Sequence, residues 1–489
     1  MGMATMGRGT FVLALMLAGC GPSQSAGGGD GGGGGAADAA PQPVCDPGET
    51  RACYTGWPGT EGVGVCRGGT ITCDERGFWG FCDGEVTPRA EICGNDLDDN
   101  CNGVVDEEQD LDGDGFTNCD GDCCDSVAEG CASPELVNPG AFEVAGNDVD
   151  DDCDGVIDNE VVAACDDGLA SNATDPLDYA RAMDLCQTAT EAADDRRWGV
   201  ISARFTRADG NDTPDAVQRA IRTAFGASTV RHGNSMVVLS SGHAAATGQM
   251  NPAFAAFQPG TSTTNTSGFP ADWLAANGGT LPNAPGCPAP LGSTANDPVL
   301  LELRVRTPTN ARSFSLATNF LSAEYPEYTC SAYNDFFVVL LDSSWSGTPA
   351  NPADKNLAIY RSPANDVYPV GVNLAHGNTG LFTVCENGAT GCALGATAGT
   401  INTCVSTAEL VGTGFDGTAT GPFSKCGDND LIGGGTGWLT TSGNVAGGEI
   451  ITLRIALWDT SDHRLDSVAL IDYFRWSVEA SEPGTIIVD

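Results

Sequence analysis

The cysteines restrict the fold of this chain more than any other feature of its sequence. Of the 21 cysteines in 489 residues, fourteen lie between Cys45 and Cys186, six lie between Cys287 and Cys426, and the last is Cys20. Cytosolic proteins keep their thiols reduced, so this number indicates an exported chain with disulfides. Both larger sets are even and each could close its own disulfides, although the sequence alone leaves the pairing open.

The N-terminus has the features of an export signal. Arg8 precedes an apolar run over 11–18, which is too short to span a bilayer and is typical of a signal peptide. Residues 17–20 (LAGC) resemble a bacterial lipobox, which implies cleavage before Cys20 and lipidation of its sulfur. The alternative is an ordinary secretory signal with a chance cysteine. Because Gly21 follows, resemblance to Gram-negative lipoproteins predicts a lipid-anchored protein of the outer membrane and cell surface.

Composition divides the rest of the chain into four segments. Residues 21–44 are rich in Gly and Ala and predict a flexible tether. Residues 45–92 are a cysteine-rich module, residues 93–165 contain acidic repeats, and residues 166–489 form a large domain. No further apolar run approaches the ~20 residues of a membrane-spanning helix. We expect the aromatic residues of the cysteine-rich module to form a small core rather than a ligand-binding face: Trp57, Phe78, Trp79 and Phe81.

Acidic residues outnumber basic ones by 65 to 22, for a formal net charge of −43. Such a charge argues against a nucleic-acid partner, whose phosphates require Lys and Arg, and against an anionic membrane surface. It favours cations as ligands. The imbalance is strongest between Arg89 and Arg181, where neither Lys nor Arg occurs.

Two copies of one acidic pattern, with a third loop between them, predict calcium binding. Residues 91–107 (EICGNDLDDNCNGVVDE), 143–160 (EVAGNDVDDDCDGVIDNE) and 110–122 (DLDGDGFTNCDGD) each contain the D-x-[DN]-x-[DN]-G core of a calcium loop. Alternate side chains converge on one ion, and the glycine turns the chain around it. The candidate ligands stand at positions one, three, five, seven (through the carbonyl) and nine of each loop: Asp98, Asn100, Asn102, Val104 and Asp106; Asp110, Asp112, Asp114, Phe116 and Asn118; Asp150, Asp152, Asp154, Val156 and Asp158.

These loops lack the other features of an EF-hand. None has Glu at position twelve, and none is flanked by a long helical pattern. The alternative is a solvated acidic linker, but three cores so close together favour calcium, because unpaired carboxylates at this density repel one another. The expected affinity is that of extracellular modules, ~0.1–1 mM.

The repeats resemble the MopE-type metal-binding repeat of deltaproteobacterial lipoproteins, a group that includes myxobacterial surface proteins. Residues 139–143 (PGAFE) and 146–148 (GND) match its frame, whereas Ala145 stands where the family has its first cysteine, so that Cys153 needs another partner. The family label is linked to copper, which prefers nitrogen and sulfur ligands, and the loops contain neither His nor Met. The expected cofactor is therefore Ca²⁺, with copper as the alternative.

The segment 166–489 is predicted to be mainly β, because short apolar runs alternate with Gly, Asn, Asp and Thr turns. The pattern favours a β-sandwich or jelly-roll-like domain with a few helices, preceded by small disulfide-rich calcium-loop modules. Helices are predicted over 179–186 and 215–225. The strand candidates are 236–239, 300–306, 314–318, 336–341, 450–458 and 467–476.

Three stretches of this segment, 236–242, 320–341 and 455–470, resemble the bacterial choice-of-anchor L domain. That family usually has S-E-E-Y where this chain has Ala323 in place of the first Glu. The resemblance implies a surface or secreted β-rich domain attached by various anchors. Six carboxylates here are candidates for a second cation or glycan site, with turn capping as the alternative: Glu324, Glu327, Asp335, Asp459, Asp462 and Asp466.

Enzyme activity is not expected, because the chain has no G-x-S-x-G, H-E-x-x-H or P-loop motif. The leading prediction is a lipoprotein held to the membrane by its lipid, which binds calcium and presents a binding or adhesion domain to an extracellular glycan or surface protein. The alternatives are a glycan-acting hydrolase with paired carboxylates and a protein that stores copper or another metal.

Overall fold

A computed structural model describes residues 44–89, 91–106, 110–127, 131–159, 165–192, 196–394, 399–424, 426–427 and 431–487. The predicted signal peptide, Cys20 and the tether up to residue 43 lie outside the described residues. In the part of the chain that is described, no helix has the length and hydropathy needed to cross a membrane. The chain divides into two compact units, residues 44–61 with 67–87 and residues 62–66 with those from 88 onward.

The first unit is a three-stranded antiparallel sheet with almost no apolar core. Its strands are β1 (Thr50–Cys53), β2 (Gly69–Cys73) and β3 (Trp79–Asp83), and the disulfides Cys45–Cys73 and Cys53–Cys82 fasten them. The predicted aromatic core is wrong for Trp57 and Phe81, which are 64% and 96% exposed, while Phe78 and Trp79 are half-buried. A sheet this small cannot cover large side chains, so its disulfides replace the missing core.

Among its described residues, the second unit has eighteen further strands, and these pair with one another only in the antiparallel sense. In chain order they are β4 (Gly199–Thr206), β5 (Arg219–Arg222), β6 (Ala224–Phe225), β7 (Ser228–Thr229), β8 (Met236–Ser240), β9 (Thr266–Ser267), β10 (Ala295–Arg306), β11 (Ser313–Ser322), β12 (Phe336–Asp342), β13 (Ile359–Arg361), β14 (Val367–Pro369), β15 (Gly388–Thr390), β16 (Gly399–Ile401), β17 (Gly434–Gly435), β18 (Leu439–Asn444), β19 (Ile450–Thr460), β20 (Ser467–Ser477) and β21 (Gly484–Ile487). One sheet has the order β12-β19-β10-β4 with β9 beside β10, and the other has the order β21-β18-β11-β20-β8-β5 with β17 beside β11.

The two sheets enclose one apolar core and form a sandwich. Alternate side chains of β10, β12 and β19, such as Leu301 and Val339, meet those of β11, β20 and β8, such as Phe320. The outer faces are covered as well, one by helix α2 (Ala271–Ala276) through Trp273 and the other by loops that carry Phe257. Burial of apolar surface at about 25 cal/mol per Å² makes this core the main source of stability.

The prediction of a mainly β fold with several sheets and few helices is confirmed, and each of the six strand candidates falls within an observed strand. Helix α1 (Pro176–Arg181) starts earlier and is shorter than predicted, with Asp175 as its N-cap. The helix predicted over 215–225 is wrong. Asp215 caps only one 3-10 turn, and the chain then enters β5, where Ile221 pairs with Val237 of β8. Strand pairing thus overrides the amphipathic pattern.

Candidate metal centre

Ten disulfides pair the cysteines from Cys45 onward, and each bond stays within its own set, as predicted. Besides the two bonds of the first unit they are Cys66–Cys101, Cys93–Cys119, Cys123–Cys153, Cys124–Cys131, Cys165–Cys186, Cys287–Cys330, Cys385–Cys404 and Cys392–Cys426. The middle acidic loop is therefore linked to the first repeat through Cys119 and to the second through Cys123. With Ala145 in place of a family cysteine, Cys153 pairs with Cys123.

The glutamate that opens each repeat folds back onto the loop. Glu143 Oε1 accepts hydrogen bonds from the backbone N–H groups of Asp151 (2.7 Å) and Asp152 (3.1 Å). Glu91 accepts from the equivalent N–H groups of the first repeat at 3.0–3.2 Å. This glutamate was absent from the predicted ligands, although its place at the start of both sequence copies is the signal that could have identified it.

The first aspartate of each core organises the turn. Asp150 accepts from the N–H groups of Asp154 (3.1 Å) and Gly155 (2.9 Å), and Asp98 accepts the two equivalent bonds at 3.1 and 3.0 Å. The φ angle of Gly155 is 90°, in the region that favours glycine. The sequence repeat is therefore a structural repeat, with the same carboxylate placed inside the same turn.

The aspartates at position nine close the loops. Asp158 accepts hydrogen bonds from the N–H groups of Gly146 (2.7 Å) and Asn147 (3.1 Å). Asp106 likewise accepts hydrogen bonds from backbone N–H groups at the start of the first repeat. The apolar residues at position seven, Val104 and Val156, are about half exposed. Asp106 and Asp158, both predicted ligands, therefore tie the two ends of each loop together through backbone hydrogen bonds.

In the second repeat, three carboxylates approach one another closely enough to share an ion. Glu143, Asp150 and Asp152 each place an oxygen within 4.8 Å of the other two. Glu143 Oε2 is buried and has no hydrogen-bond partner among the described residues. Burial, with Asp154 and Asp150 nearby, raises the pKa of Asp152. Asp154 is more exposed than these three and accepts from Val156 N at 2.8 Å.

The middle loop gathers two overlapping groups of carboxylates around Asp112. Asp112 lies within 4.8 Å of Asp110 and Asp125 in one group and of Asp114 and Asp122 in the other, measured between oxygens. The prediction included neither Asp122 nor Asp125. Both stand in the cysteine-rich run after the loop, and the disulfides of Cys119, Cys123 and Cys124 hold that run in place. Phe116 and Asn118 were also predicted ligands of this loop. Phe116 is buried beneath the Arg196 guanidinium, and Asn118 begins a 3-10 turn.

Asp122 is the most informative carboxylate of the middle loop. It is only 4% exposed; Oδ1 accepts from Cys124 N at 2.8 Å, and Oδ2 has no partner among the described residues. Burial, with Asp114 and Asp112 nearby, raises the pKa of Asp122 to about 7, and burial beside Asp112 raises the pKa of Asp114 to about 6. A buried, unpartnered oxygen among like charges needs a cation or a proton.

The first repeat carries less negative charge than the others. Asn100 and Asn102 replace two aspartates of the second repeat, and Arg89 forms an ion pair with Asp99 at 2.7 Å. Hydrogen bonds from Arg89 hold the pKa of Asp99 below its usual value. Because affinity for Ca²⁺ rises with the number of charged ligands, the middle loop and the second repeat are the stronger candidate sites.

The six carboxylates predicted for a second site are found near one end of the sandwich. Five of them, Glu324, Glu327, Asp335, Asp459 and Asp466, are at least 97% buried. The sixth, Asp462, lines a cavity of about 220 Å³ together with Glu324. A further group of metal-ligand type, Cys287, Cys330 and His376, offers no free thiol because its two cysteines form a disulfide.

The second repeat borders an aromatic cleft on the sandwich. Asn310 and the backbone of Phe142 exchange hydrogen bonds of 3.0 and 2.9 Å, and Trp198 Nε1 donates to the carbonyl of Ala141 at 2.9 Å. The cleft has a volume of about 490 Å³, and Glu143 and Asp158 of the repeat form part of its wall. Its other lining residues include Phe142, Trp198, His232, Tyr473, Arg475 and Trp476.

Residues 83–107 and 134–159 match the Cu-binding MopE family model, which is described as a "Putative metal-binding motif". The chain therefore contains two copies of this motif, and they coincide with the two structural repeats. A comparison with curated proteins gives no significant match, and a comparison with solved structures gives none either.

Proposed function

We propose that the chain is a lipid-anchored cell-surface protein whose acidic loops bind Ca²⁺ and whose β-sandwich binds an extracellular ligand. The observation that carries the calcium proposal is Asp122, a buried carboxylate with an unpartnered oxygen that lies beside Asp112 and Asp114. Anchoring through Cys20 at the outer membrane rests on the signal sequence. The sequence resemblance of the sandwich segment to a choice-of-anchor L domain also supports a location at the cell surface.

The chemistry of the loops favours calcium over copper. The two groups of the middle loop and the group of the second repeat consist only of carboxylates, which suit hard cations, whereas copper prefers imidazole and sulfur. Loops of this kind hold a few ions at ~0.1–1 mM affinity. That is too weak for a storage protein and sufficient for a structural role outside the cell.

Metal retention distinguishes calcium binding from copper storage. After dialysis against millimolar Ca²⁺ or micromolar Cu²⁺, elemental analysis of the purified chain should show bound calcium and no stoichiometric copper. The double variant Glu143→Gln with Asp152→Asn should lose one calcium, because it removes two of the three carboxylates of the second repeat. Asp366→Asn, at an exposed position of the sandwich unit, is the matched control. Retained copper with no bound calcium would contradict the proposal.

The aromatic cleft is the candidate ligand site of the sandwich, and a short neutral glycan fits its chemistry. Its volume is typical of small-ligand sites, and it combines aromatic surfaces with donors and acceptors on its rim. The exposed guanidinium of Arg475, which lines the cleft, can donate to a ligand hydroxyl. The high negative charge of the chain argues against polyanionic ligands.

Removal of one rim donor tests the cleft. Arg475 is exposed and its guanidinium lies 4.3 Å from the Tyr473 ring centroid, so Arg475→Ala removes a donor without opening the core. Retention on a panel of neutral polysaccharides should fall about tenfold, or ~1.4 kcal/mol. Arg361→Ala, at another exposed arginine, is the control. Unchanged retention in Arg475→Ala would exclude the cleft, and release of sugars from the panel would favour the hydrolase alternative.

A further inference from the structure

Strand pairing brings five carboxylates to one end of the sandwich. Phe336 at the start of β12 pairs with Trp458 near the end of β19, and Ser322 at the end of β11 pairs with Ser467 at the start of β20. The β-bulge near the start of β10 lies at the same end, because Ala295 pairs with Thr460. The residues next to these pairs are acidic: Asp297, Glu324, Asp335, Asp459 and Asp466.

Asp335 and Asp459 form the centre of this cluster. They flank the pair Phe336–Trp458 on adjacent strands, lie within hydrogen-bonding reach of each other, and are each 1% exposed. Asp335 accepts from Thr460 N (3.3 Å) and Ser467 Oγ (2.6 Å). Neither oxygen of Asp459 accepts a hydrogen bond of regular geometry from a described residue, and the buried Thr460 hydroxyl also lacks a partner.

The three surrounding carboxylates add further negative charge. Glu324 accepts from Asp335 N at 3.2 Å, and Asp466 accepts from Thr261 N at 3.0–3.1 Å through both oxygens. Asp297 pairs with His463 at 2.6 Å. Among the described residues, none of the five forms an ion pair with Lys or Arg. Burial and mutual repulsion raise the pKa values of Glu324, Asp335, Asp459 and Asp466.

We propose that a divalent cation of the Ca²⁺ type binds between Asp335 and Asp459, separately from the acidic loops. One shared proton would neutralise a single charge of the pair, whereas a divalent ion compensates both carboxylates. The described residues place no third carboxylate oxygen within 4.8 Å of both, so the remaining ligands are hydroxyl, carbonyl or water oxygens. Glu324, which accepts from Asp335 N, also lines the cavity together with Tyr328 and Asp462, so this cavity borders the cluster.

Calcium binding and local hydrogen exchange test this site on the full chain. Calcium should slow amide exchange at the start of β12 and the end of β19 in the wild type. It should do so equally in the double variant Glu143→Gln with Asp152→Asn, whose acidic-loop site is impaired. Asp459→Asn should lose the slowing of exchange by calcium and should bind one calcium fewer than the wild type. The exposed variant Asp366→Asn should keep the slowing of exchange and the full number of bound calcium ions. If the acidic loops do not bind calcium, exchange at β12 and β19 still slows with calcium; if this site does not bind calcium, that slowing is absent. The two proposals therefore fail with different results.

The calcium-free chains provide a second readout. Asp459→Asn removes an uncompensated charge, so its melting temperature without calcium should exceed that of the wild type, and Asp335→Asn should behave in the same way if Asp459→Asn folds poorly. The proposal is wrong if calcium leaves exchange at β12 and β19 unchanged in the wild type. It is also wrong if both variants bind as much calcium as the wild type. In that case a shared proton holds Asp335 and Asp459 together. The stability of the folded chain then falls as pH rises, because carboxylates with raised pKa values bind protons more tightly in the folded than in the unfolded state.

Discussion

Removal of Ca²⁺ should make the bond after Phe116 at least about tenfold more sensitive to chymotrypsin. Phe116 is 6% exposed, so it reaches the protease only when the middle loop opens. Without an ion, Asp112, Asp114 and Asp122 repel one another and favour the open loop. At a calcium concentration ten times Kd, binding lowers the population of the open loop about tenfold, or ~1.4 kcal/mol. Cleavage is measured on reducing gels, since the Cys93–Cys119 disulfide spans the cleaved bond and keeps the fragments joined.

The variant Asp122→Asn distinguishes the loss of an ion from the middle loop from other effects that a chelator has on the chain. It removes the buried unpartnered charge, so its calcium-free loop should resist cleavage better than the wild-type loop, and calcium should add little protection. The exposed variant Asp366→Asn should retain the full calcium effect. Equal cleavage of the wild-type chain with and without calcium would show that the middle loop is stable without an ion.

Reduction of the disulfides should unfold the first unit while the sandwich stays folded. The sheet of β1, β2 and β3 buries little, and its bonds Cys45–Cys73 and Cys53–Cys82 span 28 and 29 residues. Loops of this length correspond to roughly 3–4 kcal/mol of stability each, as much as such a small unit has in total. Hydrogen exchange after reduction should therefore show complete loss of protection in β1–β3 and retained protection in β10 and β19.

Removal of single disulfides provides the matched comparison. Cys53→Ala with Cys82→Ala should abolish protection in β1–β3. Cys287→Ala with Cys330→Ala should leave protection in β10 and β19 near the wild-type level, because the large apolar core of the sandwich remains. Protection of β1–β3 that survives full reduction would mean that the sheet has another source of stability.

The sequence predicts this fold where local pattern and tertiary pairing agree. Strands such as 336–341 are apolar runs between turn residues, and the structure confirms them. The helix over 215–225 fails because Ile221 gains more by pairing with β8 than by completing an amphipathic face. The alternation of apolar and polar residues and the positions of turn residues can be read from a short stretch of sequence. The strand with which a segment pairs lies far away in the sequence and cannot be read from it.

The candidate metal ligands show the same difference between local sequence pattern and long-range pairing. The regular spacing of the cores identifies Asp98, Asp110 and Asp150, whose turns follow from that spacing. Asp122 and Asp125 fall outside it, and disulfides to distant cysteines bring them to the middle loop. Likewise, Asp335 and Asp459 are visible as carboxylates in the sequence, but only the pairing of β12 with β19 shows that they are buried side by side.

The disulfides between the acidic loops also determine how the chain carries tension. The shortest covalent route from Cys66 to Cys186 crosses to Cys101, Cys93, Cys119, Cys123, Cys153 and Cys165, and follows the backbone only over 93–101, 119–123 and 153–165. Residues 102–118, which include Asp110, Asp112 and Asp114, and residues 124–152 lie on side branches of this route, whereas Asp122 lies on the route itself. When the chain is pulled from its ends, these two branches stay slack while the covalent route bears the strain, so Asp122 carries tension that Asp112 and Asp114 do not.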